Sequence, residues 1–169
     1  MNASASEAEF EQFVAAAWPR LRWSAYLLCG DHHLAEDLTQ TALARTYSAW
    51  RRIRREDPTA YTRKVLVNLN IDRMRRRRFQ EVAEDHAPER ASEHPGGDLE
   101  AREEVVALLR SLGERERAVV VLRHYFDLSE AQVAAELGMP RGTVKSTLAR
   151  ALGKMRVSAE TVASMSGKD

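Results

Sequence analysis

The chain has 169 residues, of which 44% are hydrophobic, with 26 Lys and Arg against 25 Asp and Glu, one cysteine and a net charge of +1 at pH 7. It contains no eighteen-residue apolar run and no basic segment leading into an apolar one, which argues against a membrane span and a secretory leader. A single cysteine excludes an internal disulfide and fits a reducing cytoplasm. The length suits one domain or two small ones, and two are expected. The near-neutral total conceals strong segregation: residues 1–50 carry −3, 51–80 carry +8, 81–105 carry −7 and 106–169 carry +3. A polyanion would therefore meet two basic surfaces separated by an acidic joint.

Residues 7–28 read as a helix, with Phe10, Val14, Ala17, Leu21, Ala25 and Leu28 at helical spacing. Pro19 removes one backbone bond, so either one bent helix or two shorter ones satisfies the pattern. Gly30 ends the segment and Asp31 is placed to cap the next helix, which runs from Leu34 to about Trp50. Its inward stripe is Leu34, Leu38, Leu43, Tyr47 and Trp50. Asp37, Gln40, Thr41 and Ala44 fall at i, i+3, i+4 and i+7 on another face, a strip with little reason to be buried. Cys29, His32 and His33 are too few for zinc, and Cys29 is expected to be a small core residue.

A basic connector, RRIRREDPT, ends in Asp57-Pro58, where Asp57 can cap a helix opened by proline. The helix YTRKVLVNLNIDRMRRRR follows, with Val65, Leu69 and either Ile71 or Asp72 toward the core. Arg75, Arg76, Arg77 and Arg78 at its end favour the helix dipole, but all four cannot face inward. They repel one another unless an anion screens them, which points to phosphate.

Residues 79–98 lack periodicity and concentrate acid, Pro and Gly, so they read as a flexible linker between a first domain, 1–78, and a second, 99–169. Twenty residues reach at most roughly 65–70 Å, enough to set two small domains on separated DNA elements. Leu99 to Leu112 reads as an amphipathic helix through Val105, Leu108, Leu109 and Leu112. Glu114 to Phe126 reads as another, with Ala118, Leu122, Tyr125 and Phe126 inward. Then comes SEAQVAAELGMPRGTVKSTLARALGK, a helix-turn-helix. Ser129 caps its first helix, Val133 and Leu137 face inward, Gly138 takes the left-handed C′ position and Pro140 opens the second helix. There Val144, Leu148, Ala151, Leu152 and Met155 face inward, leaving Arg141, Gly142, Lys145, Ser146, Ala149 and Arg150 outward. Small, hydroxyl and basic side chains on an exposed helix suit a DNA major groove. The tail from Ser158 to Asp169 is expected to fray and to add no regulatory domain.

The stretch LRSLGERERAVVVLRHYFDLSEAQVAAELGMPRGTVKSTLARALGKM resembles promoter-binding region 4 of bacterial sigma factors. GDHHLAEDLTQTALARTYSAW resembles sigma region 2.2, and AYTRKVLVNLNIDRMRRRR resembles regions 2.3 and 2.4. The resemblance covers residues 10–156 and points to a group IV, or extracytoplasmic-function, sigma factor, similar at its start to the actinobacterial SigE-like group. It implies an all-α fold of two small helical domains, a region 2 bundle and a four-helix region 4 domain. It leaves no room for an N-terminal inhibitory region or a separate region 3. It implies docking of Asp37 and Gln40, with Glu36 and Thr41, on the β′ clamp helices of core RNA polymerase, and a second contact with the β flap. For the −10 element it implies Arg51, Arg52, Arg54, Arg55, Lys64, Asn68 and Arg75 to Arg78, with a pocket for a flipped base in Arg51 to Thr59. For the −35 element it implies Arg141, Thr143, Lys145, Ser146 and Arg150. An anti-sigma protein is a further implied partner. One feature departs from the family: Val67 stands where many relatives have a basic residue, which implies a weaker duplex contact on that turn. Aromatics near the −10 site are few, with Tyr61 and Trp50 the only nearby candidates, so no melting wedge is assigned.

No catalytic triad, paired-carboxylate pocket or Gly-rich phosphate loop is present, so neither enzyme activity, nor a small-molecule substrate, nor a cofactor or metal is expected. The competing reading is a stand-alone helix-turn-helix regulator, dimerised through its N-terminal helices and bound to a palindrome. A protein-interaction module with incidental basic faces is a third, and it predicts no salt-dependent DNA affinity.

Overall fold

A computed structural model describes residues 3–80 and 99–166. Every described element is helical. The backbone contacts divide into two compact units, Met1–Ala91 and Ser92–Asp169.

The first unit packs three helices: α1, Ala3–Cys29; α2, His32–Ile53; and α3, Pro58–Gln80. Pro19 does not split α1. Pro19 and Ala15, whose carbonyl it leaves unbonded, are both exposed, so water can take the freed acceptor. Gly30, at φ 71°, ends α1, and the Asp31 carboxylate caps α2 by accepting from the Leu34 N–H at 2.8 Å. Cys29 donates to the Asp31 carbonyl, and the His32 ring stacks on Tyr26 at 3.8 Å.

Small side chains let α1 and α2 approach closely. Ala25, Ala35 and Ala42 are fully buried, and Ser24 and Thr39 are buried with their hydroxyls donating to carbonyls of their own helices. Farther along, Phe10, Phe13, Tyr47 and Trp50 form an aromatic cluster, with Phe10 4.9 Å from Tyr47 and 5.1 Å from Trp50. Tyr47 lies at its rim and is 49% exposed, not inward as its spacing predicts.

α3 is rotated from the expected register. Thr62, Leu66, Val67, Asn70 and Met74 are buried, whereas Val65, Leu69 and Ile71 are half-buried and Asp72 is exposed. The cause is polar. Thr62 Oγ1 lies 2.9 Å from Thr46 Oγ1 between the two helices, and each hydroxyl is also within bonding distance of its own i−4 carbonyl. Two protons serve three acceptor contacts. Thr46→Val and Thr62→Val are therefore each expected to cost about 1 kcal/mol, while the double variant costs less than their sum, because the bond between the two hydroxyls is lost only once. Thermal melts of the four chains measure this. α3 also runs to Gln80, so residues 79 and 80, expected in the linker, are helical; residues 81–98 lie outside the described residues.

The second unit comprises α4, Leu99–Arg110; α5, Glu114–Val120, continued by a π-turn over Val121–Tyr125; α6, Glu130–Leu137; and α7, Arg141–Ser166. Its core is Val106, Leu109, Val119, Leu122, Val133, Val144 and Ala151. Leu109 and Leu112 face the core as expected, but Val106 takes the place of Val105, which is 44% exposed, and Leu152 on α7 also faces outward. Arg117 locks the α4–α5 corner, donating from Nε to the Leu109 carbonyl at 2.9 Å and from Nη2 to the Leu112 carbonyl. The expected single helix is continuous but widens from α to π geometry over its last turn. Phe126 N–H reaches Val121 O, Leu128 N–H reaches Leu122 O, and Asp127 takes φ 53°, which reverses the chain into α6. α7 remains helical to Ser166 rather than fraying from Ser158.

Glu116 ties α5 to α7 through both carboxylate oxygens on Lys154 Nζ, each at 2.9 Å, and accepts from the Gly113 N–H. The Lys154 bond, against partial burial and with help from the Gly113 amide, holds the Glu116 carboxyl below its ordinary range. A depressed folded pKa gives stability that is present above the unfolded pKa and lost as pH falls through the folded one. Thermal melts at several pH values are expected to show wild type above Glu116→Gln near neutrality, the gap closing in acid. Gly153 sits mid-helix with nothing within 4 Å of an added Cβ. Gly153→Ala is expected to stabilise this unit by about 0.5–1 kcal/mol, read as a rise of about 2–8 °C in Tm.

Candidate functional site

Three surfaces carry the residues singled out by the sequence. The first is on α2. Because Ala35, Leu38, Thr39 and Ala42 face the core, Glu36, Asp37, Gln40, Thr41 and Ala44 are left exposed on the opposite side. Gln40 Nε2 donates to Glu36 Oε1 at 3.4 Å, a contact weak enough to be exchanged for one with a partner. The strip thus offers two carboxylates and an amide on a rigid helix.

The second surface joins the end of α2 to α3. Arg51, Arg52 and Arg55 are exposed, but Arg54 is not one of them. Its side chain is 11% exposed and Nη1 donates to Glu9 Oε2 at 2.7 Å, so this guanidinium pins α1 to the end of α2 instead of facing solvent. The sequence-based assignment of Arg54 to DNA is corrected accordingly. The Asp57 carboxylate accepts from the Ala60 N–H at 2.9 Å and starts α3, on which Lys64, Asn68, Arg75, Arg76, Arg77 and Arg78 are all exposed. Val67 is 1% exposed and belongs to the core.

A shallow cleft of about 460 Å³ opens here, lined by Arg45, Ser48, Ala49, Arg51, Arg52 and Tyr61. It lies more on α2 than on the connector, where the pocket is expected. Arg45 and Ser48 were missed from sequence, although they continue the Thr41 strip at i+4 and i+7. Trp50 is 5% exposed inside the aromatic cluster, which removes it as a base-facing ring and leaves Tyr61.

The third surface is the helix-turn-helix. Ser129 and Gln132 form a reciprocal capping box at α6, and Gly138, at φ 60° and ψ 40°, gives the left-handed turn. The turn presents the first three helical turns of α7. Arg141, Gly142, Thr143, Lys145, Ser146, Ala149 and Arg150 are exposed there, with Val144, Thr147 and Ala151 anchoring the other face. Arg141 Nε stands 3.9 Å from Glu130 Oε2, and Arg150 Nη2 donates to the otherwise unforeseen core residue Thr147. Nothing lies within 4 Å of a Cβ added to Gly142, so this helix face is open to close approach.

Among the described residues no group of three or more His, Cys, Asp and Glu could hold a metal, and no helix is long and apolar enough to cross a membrane. Residues 13–80 match the family model of sigma-70 region 2, and residues 102–155 match that of sigma-70 region 4. The chain is 41% identical over 151 residues to the RNA polymerase sigma-E factor of Streptomyces coelicolor, covering 88% of this chain and 84% of that one. It is 30% identical over 165 residues to the ECF RNA polymerase sigma factor SigL of Mycobacterium tuberculosis, covering 92% and 89%. Among solved structures it is similar to the sigma factor RpoE in complex with the anti-sigma factor NepR from Bartonella quintana, with a TM-score of 0.73, 26% identity, and coverage of 89% of this chain and 96% of that one. With both sigma regions in order along one chain, and relatives matched nearly end to end, this protein belongs to the extracytoplasmic-function sigma factors of the sigma-70 family.

Proposed function

We propose that this chain binds core RNA polymerase and directs transcription initiation at selected promoters, with its first unit docking on polymerase and holding the −10 strand and its second reading the −35 duplex. The observation that carries this division is the placement of an acidic, amide-bearing strip and a basic helix on separate faces of one unit, while a helix-turn-helix with a basic outer face occupies the other. A stand-alone regulator has no use for the first arrangement.

Asp37 and Gln40, with Glu36 and Thr41, are the polymerase contacts, and the β′ clamp helices are their partner. Arg51, Arg52, Arg55, Lys64, Asn68 and the four terminal arginines of α3 hold the open strand, and an unstacked base enters the cleft beside Tyr61. The first helical turns of α7 enter the −35 major groove, where Arg141 reads a base edge and Thr143, Lys145, Ser146 and Arg150 fix the register on base edges and phosphates. The second unit also meets the β flap. The chain works in the cytoplasm without a catalytic residue of its own, contributing only binding and orientation. By analogy with the Bartonella complex, an anti-sigma protein is a further partner.

The test is reconstitution of the purified chain with bacterial core polymerase on fragmented genomic DNA. Transcripts with discrete 5′ ends are expected only when both are present. Discrete DNA binding by the chain alone, with no new transcripts in the mixture, would favour the regulator instead.

A further inference from the structure

The end of α3 carries a feature that the docking and promoter-reading surfaces do not use. Phe79 is 86% exposed, directly after Arg75, Arg76, Arg77 and Arg78. Among the described residues no ring packs against it, so it contributes little to the core of its unit. Its register, however, is specific. Tyr61, Lys64, Asn68, Arg75 and Phe79 follow one another at steps of three, four, seven and four residues, which places them on one side of the helix. Asp72, also exposed, lies within this track, four residues after Asn68 and three before Arg75, as its one acid.

The track is bounded by aromatic rings: Tyr61 at the cleft and Phe79 at the far end. Eighteen residues of helix separate them by about 27 Å. Basic side chains and an amide that follow a backbone, together with rings that present flat faces, are the two parts of a single-strand binding groove. A duplex hides its base faces, whereas an unpaired strand offers both phosphates and a π surface. The net charge of +8 over residues 51–80 favours a polyanion over an apolar protein partner at this end of the helix.

We infer that Phe79 is a stacking platform for an unpaired base, closing at its far end a single-strand track that begins at the Tyr61 cleft. This rests on the reading of α3 as the strand-holding helix and adds a second aromatic contact to it. Arg75, one helical turn before the ring on the same side, supplies the cation for the phosphate next to the stacked base.

The test uses the full chain bound to bacterial core polymerase, a fluorescein-labelled single-stranded oligodeoxynucleotide of mixed sequence and the matching duplex. Anisotropy titrations compare wild type, Phe79→Ala, Phe79→Trp and Arg75→Ala. Phe79→Ala is expected to weaken single-strand binding roughly 5- to 150-fold while duplex binding is unchanged, and Phe79→Trp to preserve both. A bromodeoxyuridine strand should photocrosslink to the peptide containing residue 79 in wild type and in Phe79→Trp. If Phe79→Ala binds the strand like wild type while Arg75→Ala weakens it, the platform is refuted and the reading of α3 stands. If neither variant weakens it, or wild type binds no single strand, both fall. Loss of core polymerase co-elution by Phe79→Ala, with strand binding intact, would make the ring a protein contact and overturn the inference.

Discussion

A chain carrying Asp37→Arg and Gln40→Ala is expected to elute apart from bacterial core RNA polymerase on a sizing column under conditions where wild type co-elutes. Both positions are exposed on α2, and the face beneath them is built by Ala35, Leu38, Thr39 and Ala42, so the change leaves the three-helix packing intact. The thermal melt of the variant should therefore stay within a degree or two of wild type. The binding loss has two parts. A carboxylate that pairs with a partner's cation is replaced by a guanidinium that repels it, and an amide that supplies a hydrogen bond is removed. Like-charge juxtaposition at an interface costs several kcal/mol, and loss of a buried pair costs about 2–5 kcal/mol, so the combined effect is on the order of a thousandfold in Kd. Co-elution of the variant at the wild-type level would move the docking face off α2. Separation of both chains from polymerase, with tight binding to free DNA, would instead favour the stand-alone regulator.

The α2 strip could be read from sequence because nothing apolar competes for its face: Asp37, Gln40, Thr41 and Ala44 repeat at helical spacing and stay outside. The helix-turn-helix was legible for a stronger reason. Ser129, Gly138 and the spacing of Val133, Val144 and Ala151 each specify one local conformation, and all agree. α3 was misphased because apolar spacing alone set its inward face, whereas its buried side includes Thr62 and Asn70. Thr62 is accepted there through Thr46, and the Asn70 amide through the Met74 sulfur at 3.2 Å and Arg73. Partners of that kind cannot be seen in a pattern of apolar and polar letters. Arg54 fails for a related reason. Within RRIRR it is indistinguishable from its neighbours, and the carboxylate that claims it, Glu9, lies 45 positions earlier. Arg45 and Ser48 were within reach, since the exposed strip simply continues past Ala44 toward Arg51 and Arg52.

Arg141→Ala should separate reading a promoter from merely adhering to DNA. In the free protein the Arg141 guanidinium is exposed, and its one described carboxylate neighbour, Glu130, is 3.9 Å away. An ion pair that long and that solvated contributes little to folding, so the variant should melt like wild type. If Arg141 makes a two-pronged contact with a guanine edge in the −35 duplex, its removal costs about 1–3 kcal/mol on the matched promoter and much less on a duplex changed at that base pair. Lys145→Ala supplies the contrast. A lysine that meets phosphate weakens matched and mismatched duplexes alike and lowers the slope of log K against log salt by about one. Titrations of the polymerase-bound chain on both duplexes at several salt concentrations distinguish the two signatures. Equal losses for Arg141→Ala on both duplexes would reassign it to the backbone and leave base reading to Thr143, Ser146 and Arg150. No loss on either would remove it from the interface, because its open position on the first turn of α7 gives it no other task in the fold.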